Sequence, residues 1–178
     1  MNSDEIKTAV IGYLRYKLQF PLVALEVEWR PGVRYVLADV IAVDKKGRLV
    51  EVEVKTSISD MRADRGKRFK HEALRKTFDA KKPCQCEAGV DWKIERIPAR
   101  FWYAVPVEIA DAAADFVREN FPYAGLMVAY PGWVMCRKTA PTLHDHILGP
   151  DAQWSLVKAQ SASLVRVSRG RDKARAKG

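Results

Sequence analysis

The sequence predicts a single α/β domain, a mixed central sheet flanked by helices. Three observations carry that reading. Hydrophobic spacing switches between period two and period three-to-four along the chain; three strand-like runs follow one another between residues 22 and 56; and helical segments at 58–80 and 108–120 separate them from later strand-like runs. A length of 178 residues fits one domain, read here as residues 1–168 with an excursion at 81–99 and a basic tail at 169–178.

Residues 3–19 read as the first helix, with Ser3 as N-cap and Ile6, Val10, Tyr13, Leu14 and Leu18 at three-to-four spacing, ending before Pro21. Residues 22–29 alternate as a strand, Pro31-Gly32 is turn chemistry, and 33–43 form a second strand of mostly apolar residues interrupted by Asp39. Asp44-Lys-Lys-Gly47 closes a hairpin onto a third strand, 48–56. There Val50, Val52 and Val54 share one parity and Leu49, Glu51, Glu53 and Lys55 the other, so one face is apolar and the other chemical. Residues 58–80 are expected as one helix with a wet, basic face. Pro83, Gly89 and Pro98 mark 81–99 as an excursion or small hairpin. A strand at 101–107, a helix at 108–120, a hairpin of 124–130 and 133–137 across Pro131-Gly132, and a closing helix at 151–167 complete the order αβββαβαββα.

Composition narrows the function classes. Hydrophobic residues at 48% exclude the disordered class, and the apolar runs are too short for a membrane span. Met1-Asn-Ser-Asp-Glu leads straight into an amphipathic segment, so no secretory signal is read and an intracellular, cytoplasmic protein is expected. A net charge of +9 favours a polyanionic partner, and the basic tail is either a nucleic-acid contact or a solvated end. Cys84, Cys86 and Cys136 read as reduced thiols, since an odd set suits no disulfide framework.

The chemistry concentrates at Asp39 and at Glu51-Val-Glu53-Val-Lys55, with thirteen residues between Asp39 and Glu53. A hairpin of that length places two carboxylates and an ammonium at one point on a sheet. If a helix covers that face, buried charge there needs compensation, and a divalent ion would supply it. Mg2+ or Mn2+ accepts hard oxygen donors and keeps several waters, so Asp39, Glu53 and the carbonyl of Val54 would serve as ligands. Lys55 would hold and polarise the attacking water of a phosphodiester hydrolysis. The competing reading is a solvent-facing ribbon of alternating Glu and Lys. The apolar flanks before Asp39 and the interleaved valines favour a central hairpin.

On these residues the chain resembles the PD-(D/E)xK nuclease superfamily, which has the restriction-endonuclease-like fold. Asp39, Glu53, Val54 and Lys55 supply the family's Asp, spacer, Glu-x-Lys pattern, with Ala38 where the pattern names Pro. More narrowly, the chain is similar to the branch of MmcB-like DNA-repair proteins and related phage proteins. That similarity runs through Glu53 to Ser57, Ser59 to Asp64, Lys67, Lys70-His71, Arg100 to Pro106 and Tyr123 to Met127, within residues 22–140.

The resemblance implies an αβββαβ core and a metal-dependent DNA nuclease in repair, recombination or phage DNA metabolism, in the cytoplasm of a bacterial or phage-infected cell. It makes Asp39, Glu53 and Lys55 the catalytic set. Lys67, Lys70 and His71 become candidates for DNA phosphate contact, with support of the catalytic residues as the alternative for Lys67 and His71, on a helix whose spacing also aligns Asp60 and Asp64. His71 reads equally as an ordinary exposed helix residue. Glu26 or Glu28 would add an acidic ligand, with Glu28 preferred for its closeness to the turn. Many nucleases of this fold pair to cut both strands, so a homodimer is one arrangement it allows.

Other signals are weaker. Cys84-x-Cys86 with Cys136 or His71 lacks the spacing of a zinc site. His144-Asp-His146 reads as a polar loop. Trp92 and Trp154 could stack on bases, while Trp102 and Trp133 are expected in the core. The rivals to a nuclease are a non-catalytic DNA-binding module on the same fold and a protein-interaction subunit whose acidic site is structural.

Overall fold

The computed structural model describes residues 1–29, 36–80 and 97–161. Helix α1 spans Ser3–Gly12 and is capped by Asn2, one residue before the expected cap. The Asn2 side chain accepts the Glu5 N–H, and the Glu5 carboxylate accepts the Asn2 N–H, both at 2.9 Å. This reciprocal pair satisfies two otherwise orphaned donors. The helix does not run regularly to residue 19: a π-helical turn at Tyr13–Lys17 follows, and Gln19 at φ 58° ends it before Pro21.

Strands β1 (Leu22–Trp29), β2 (Val36–Val43) and β3 (Leu49–Val54) form an antiparallel meander. The expected helix at 58–80 is two helices, α2 (Ile58–Asp64) and α3 (Arg68–Ala80), broken at Gly66. The break lets each piece set its own apolar side against the sheet, Met61 from α2 and Ala73 and Leu74 from α3. Strand β4 (Arg100–Pro106) then pairs parallel with β3. Helix α4 (Ala110–Asn120) connects it to β5 (Ala124–Tyr130), which is parallel to β4 and antiparallel to β6 (Trp133–Lys138). Residues 150–161 are helical and are called α5. The result is one six-stranded mixed sheet in the order β1-β2-β3-β4-β5-β6, and α1-β1-β2-β3-α2/α3-β4 reproduces the expected αβββαβ order.

Two layers of side chains clothe the sheet. On one face, Ile6 and Val10 of α1 and Leu14 of the π-helical turn pack on Val40, Val50, Val52, Val54 and Trp102. On the other, α2, α3 and α4 bury Phe101, Tyr103 and Leu126, and Leu148 and Leu156 close over Leu22, Ile41, Val43 and Leu49. Glu51 and Glu53 alternate with the α1-facing valines of β3, so they enter the opposite face under α3. Trp133 departs from its expected core place: it is 53% exposed and stacks on Tyr130 at 4.1 Å, because it begins an edge strand at a turn. Among the described residues no helix is long and apolar enough to cross a membrane.

Candidate active site

The charged parity of β3 is buried. Glu51, Glu53 and Lys55 are 4%, 3% and 6% exposed, which excludes the solvent-facing ribbon. The compensation comes from lysines on the covering segment. Lys70 of α3 pairs with Glu51 Oε1 and, at 2.9 Å, with Glu53 Oε2. Lys67, in the link between α2 and α3, pairs with Glu53 Oε1 and, at 2.9 Å, with Asp64 Oδ1. Lys55 lies 3.1 Å from both Glu53 Oε1 and Asp64 Oδ1, with the half-exposed Asp60 at 3.6 Å. Glu53 is therefore the hub, ringed by three ammonium groups.

Asp64 is the member that the sequence placed by helical spacing but gave no role. Its Oδ2 accepts the Tyr103 hydroxyl at 2.7 Å and meets His71 Nε2 at 2.9 Å. An ionised carboxylate can only accept, so Nε2 carries the proton. In the neutral ring, Nδ1 then accepts from Tyr123 OH at 2.8 Å. The sequence offered Tyr103 and Tyr123 only within the motifs of the resemblance, with no role of their own. The usable signal was parity, since Tyr103 shares the face of Glu53 opposite it in the parallel register. Lys70 and His71, expected as DNA contacts, are buried and turned inward onto the carboxylates of the network. The exposed basic side chains here are Arg62, Arg65, Lys67 and Arg68.

Charge pairing sets the ionisation. Burial works to raise the Glu53 pKa, but Lys70, Lys67 and Lys55 outweigh it and, against opposition from Asp64, hold it at about 2. Asp64 is likewise pulled well down: burial opposes this, while the hydrogen bond from His71 and the charges of Lys55, Lys67 and Lys70 prevail. Glu51 moves the other way, because burial and the Glu53 charge together exceed the pull of Lys70. Burial tends to lower Lys55, yet Glu53 and Asp64 raise it, so it stays an ammonium and a donor. Lys70 is raised for the same reason by Glu51 and Glu53.

Asp39 reaches this region from the side. The β2–β3 ladder ends at Val40 opposite Val52, and the Val54 N–H donates instead to Asp39 Oδ2 at 2.8 Å. In-out alternation also breaks here in both β1 and β2. Val23 faces α1 and Val27 the other face, as do Val40 and Ala38, with Glu26 at φ 48° and Asp39 at the two break points. Lys7 of α1 bridges the pair, 3.1 Å from Glu26 Oε1 and 3.4 Å from Asp39 Oδ1. Burial alone would lower Lys7, but these two carboxylates raise it. Of the two acidic residues considered on β1, Glu26 shares Lys7 with Asp39. The Glu28 side chain lies outside the described residues, as do Cys84, Cys86, Trp92 and the tail.

The donor chemistry fits a hard divalent ion. Asp39 binds the Val54 peptide directly and Glu53 precedes it, giving one carboxylate from each of two strands. Glu51 Oε1 and Asp64 Oδ1, both buried, have ammonium neighbours yet no hydrogen bond of good geometry. Among the described residues no group of three His, Cys, Asp or Glu side chains forms a ready cage, so waters and phosphate oxygens would complete the shell. The remaining candidates lie apart from this network, and Trp154 is 60% exposed with Lys158 over its ring. His144 Nε2 donates to the Ile97 carbonyl at 2.8 Å, Cys136 is a half-buried free thiol, and Trp102 is core. An open cleft of about 990 Å3 between α1 and the β5–β6 turn, lined by Tyr13, Tyr16 and Trp133, touches no member of the network.

No protein-family model matches the chain, and no curated protein matches it significantly. Among solved structures it is similar to the SPO1766 protein of unknown function from Silicibacter pomeroyi, with a TM-score of 0.57 and 19% identity over 100% of this chain and 96% of that one, a likeness that establishes a shared fold.

Proposed function

We propose that the chain is a DNA nuclease dependent on Mg2+ or Mn2+, hydrolysing phosphodiester bonds at Asp39, Glu53 and Lys55 in the cytoplasm. The observation that carries this reading is their convergence on one peptide, Asp39 on the Val54 N–H and the Glu53–Lys55 pair on either side of Val54. Asp39, Glu53 and the Val54 carbonyl would hold the ion, which when bound lowers the pKa of a coordinated water and neutralises charge building on the phosphate. Lys55, kept charged by Glu53 and Asp64, acts as a donor that orients the attacking water and stabilises the phosphorane oxygens; it is not the base. Tyr103 and His71 hold Asp64, Tyr123 holds His71, and Asp64 in turn holds Lys55. The net charge of +9, and exposed Arg62, Arg65, Lys67 and Arg68 beside Phe69, which is 48% exposed, support a nucleic acid as partner.

One observation favours a second reading, a DNA-binding module without catalysis: both oxygens of Glu53 are already neutralised by lysines. Labelled duplex, single-stranded and branched DNA with Mg2+ or Mn2+ decides between them. Cleavage that disappears in Lys55→Ala, in Asp39→Ala and on chelation is the expected result. Binding of all three substrates without cutting establishes the module instead.

A further inference from the structure

The link between α2 and α3 borders the candidate site, because Lys67 within it reaches Glu53 and Asp64. Around Lys67 the same strip carries Arg62, Arg65 and Arg68, all exposed. The carboxylates nearest to them in sequence are already engaged: Asp60 and Asp64 face Lys55, and Glu72 pairs with Lys76 at 2.9 Å. Among the described residues, none of the three arginines has an ion-pair partner. Phe69 follows in the first turn of α3 and is 48% exposed, while its neighbours Lys70 and His71 turn inward to the network. Helical side chains lean toward the N-terminus, which sets the ring toward the arginine-bearing link. Phosphates account for the arginines, but an apolar ring has no hydrogen bond to offer a phosphate or a base edge. What it offers is a face. Stacked neighbours cover the faces of a base inside a duplex, and those of an unpaired base are open.

We propose that Phe69 is a base-stacking platform and that the site takes DNA with an unpaired segment, its phosphates on Arg62, Arg65 and Arg68 and one base on the ring. The inference rests on the reading of DNA as the partner and names its structural class. Because Lys67 joins the strip to Glu53, a strand seated there passes beside Glu53 and Lys55. The ring then decides between paired and unpaired DNA, whereas the arginines set the affinity for both.

The test measures binding by the full chain with chelator present, so that no strand is cut. The probes are a labelled single strand of mixed sequence and the blunt duplex of the same sequence, compared at a temperature where circular dichroism shows every variant folded. The parent should prefer the single strand. Phe69→Leu keeps apolar bulk and removes the aromatic face. It should weaken single-strand binding about tenfold and leave duplex binding and the slope of affinity against salt unchanged. Phe69→Trp should retain the preference, and Arg65→Gln should weaken both probes alike and flatten the salt dependence. Parental single-strand affinity in Phe69→Leu overturns the proposal. So does an equal loss on both probes, which would make the ring a wedge into duplex DNA or a purely structural residue. A single-strand preference that Phe69→Leu abolishes, in a protein that cuts no DNA with Mg2+ or Mn2+, would leave the platform standing and remove the nuclease reading; cleavage by a protein whose binding Phe69→Leu does not alter would do the reverse.

Discussion

Glu53→Gln is the most informative perturbation of the network, because glutamine keeps the shape and removes the charge that three lysines share. The folded-state pKa is about 2 against an ordinary 4.5. That depression corresponds to about 3 kcal/mol of stability at pH 7, in line with the roughly 3–5 kcal/mol lost when one partner of a buried ion pair is removed. The sign follows from the direction. A depressed carboxylate contributes fully above its unfolded pKa, and the contribution is lost as pH falls through the folded value. The deficit of Glu53→Gln should be about 3 kcal/mol at pH 7 and roughly half that at pH 3. Urea unfolding followed by circular dichroism, with chelator present, measures it. A deficit below about 1 kcal/mol at pH 7, or one that does not shrink on acidification, would refute the claim that Glu53 is the electrostatic hub.

Glu51→Gln should behave oppositely. Its carboxyl is raised by burial and by Glu53, so its ionised form opposes folding at neutral pH, and Lys70 retains Glu53 as a partner. The same urea titration should show a loss of less than about 1 kcal/mol at pH 7, and a loss as large as that of Glu53→Gln would contradict the assignment. On the α1 face, Gly125→Ala should cost about 1–3 kcal/mol and lower the melting temperature, since a Cβ there would run into the Trp102 ring and sit 2.6 Å from the Ala140 nitrogen. An unchanged melting temperature would refute the close approach of Trp102 and the Ala140 backbone to Gly125.

Local pattern was enough for much of the architecture. Period-two alternation at Leu49–Val54 assigned the valines to one face and the glutamates to the other, because strand side chains must alternate whatever surrounds them. The runs at residues 22–29, 101–107 and 124–130 were legible for the same reason. Spacing also aligned Asp64, Lys67 and His71, on an expected single helix that the structure breaks between Asp64 and Arg68. What alternation cannot state is which distant groups arrive at a face. Burial of Glu51 and Glu53 was resolved by Lys67 and Lys70, with Tyr103 and Tyr123 ordering Asp64 and His71 from far along the chain. The helix break at Gly66, which sets Lys67 at the surface, and the broken alternation at Glu26 and Asp39, which draws Asp39 to Lys7, are likewise products of packing. The sequence by itself determined the element order, the charged parity of β3 and the candidate trio of Asp39, Glu53 and Lys55. Only the tertiary structure decided which cations neutralise Glu53, because long-range ion pairs depend on how helices cross the sheet and not on spacing along one element.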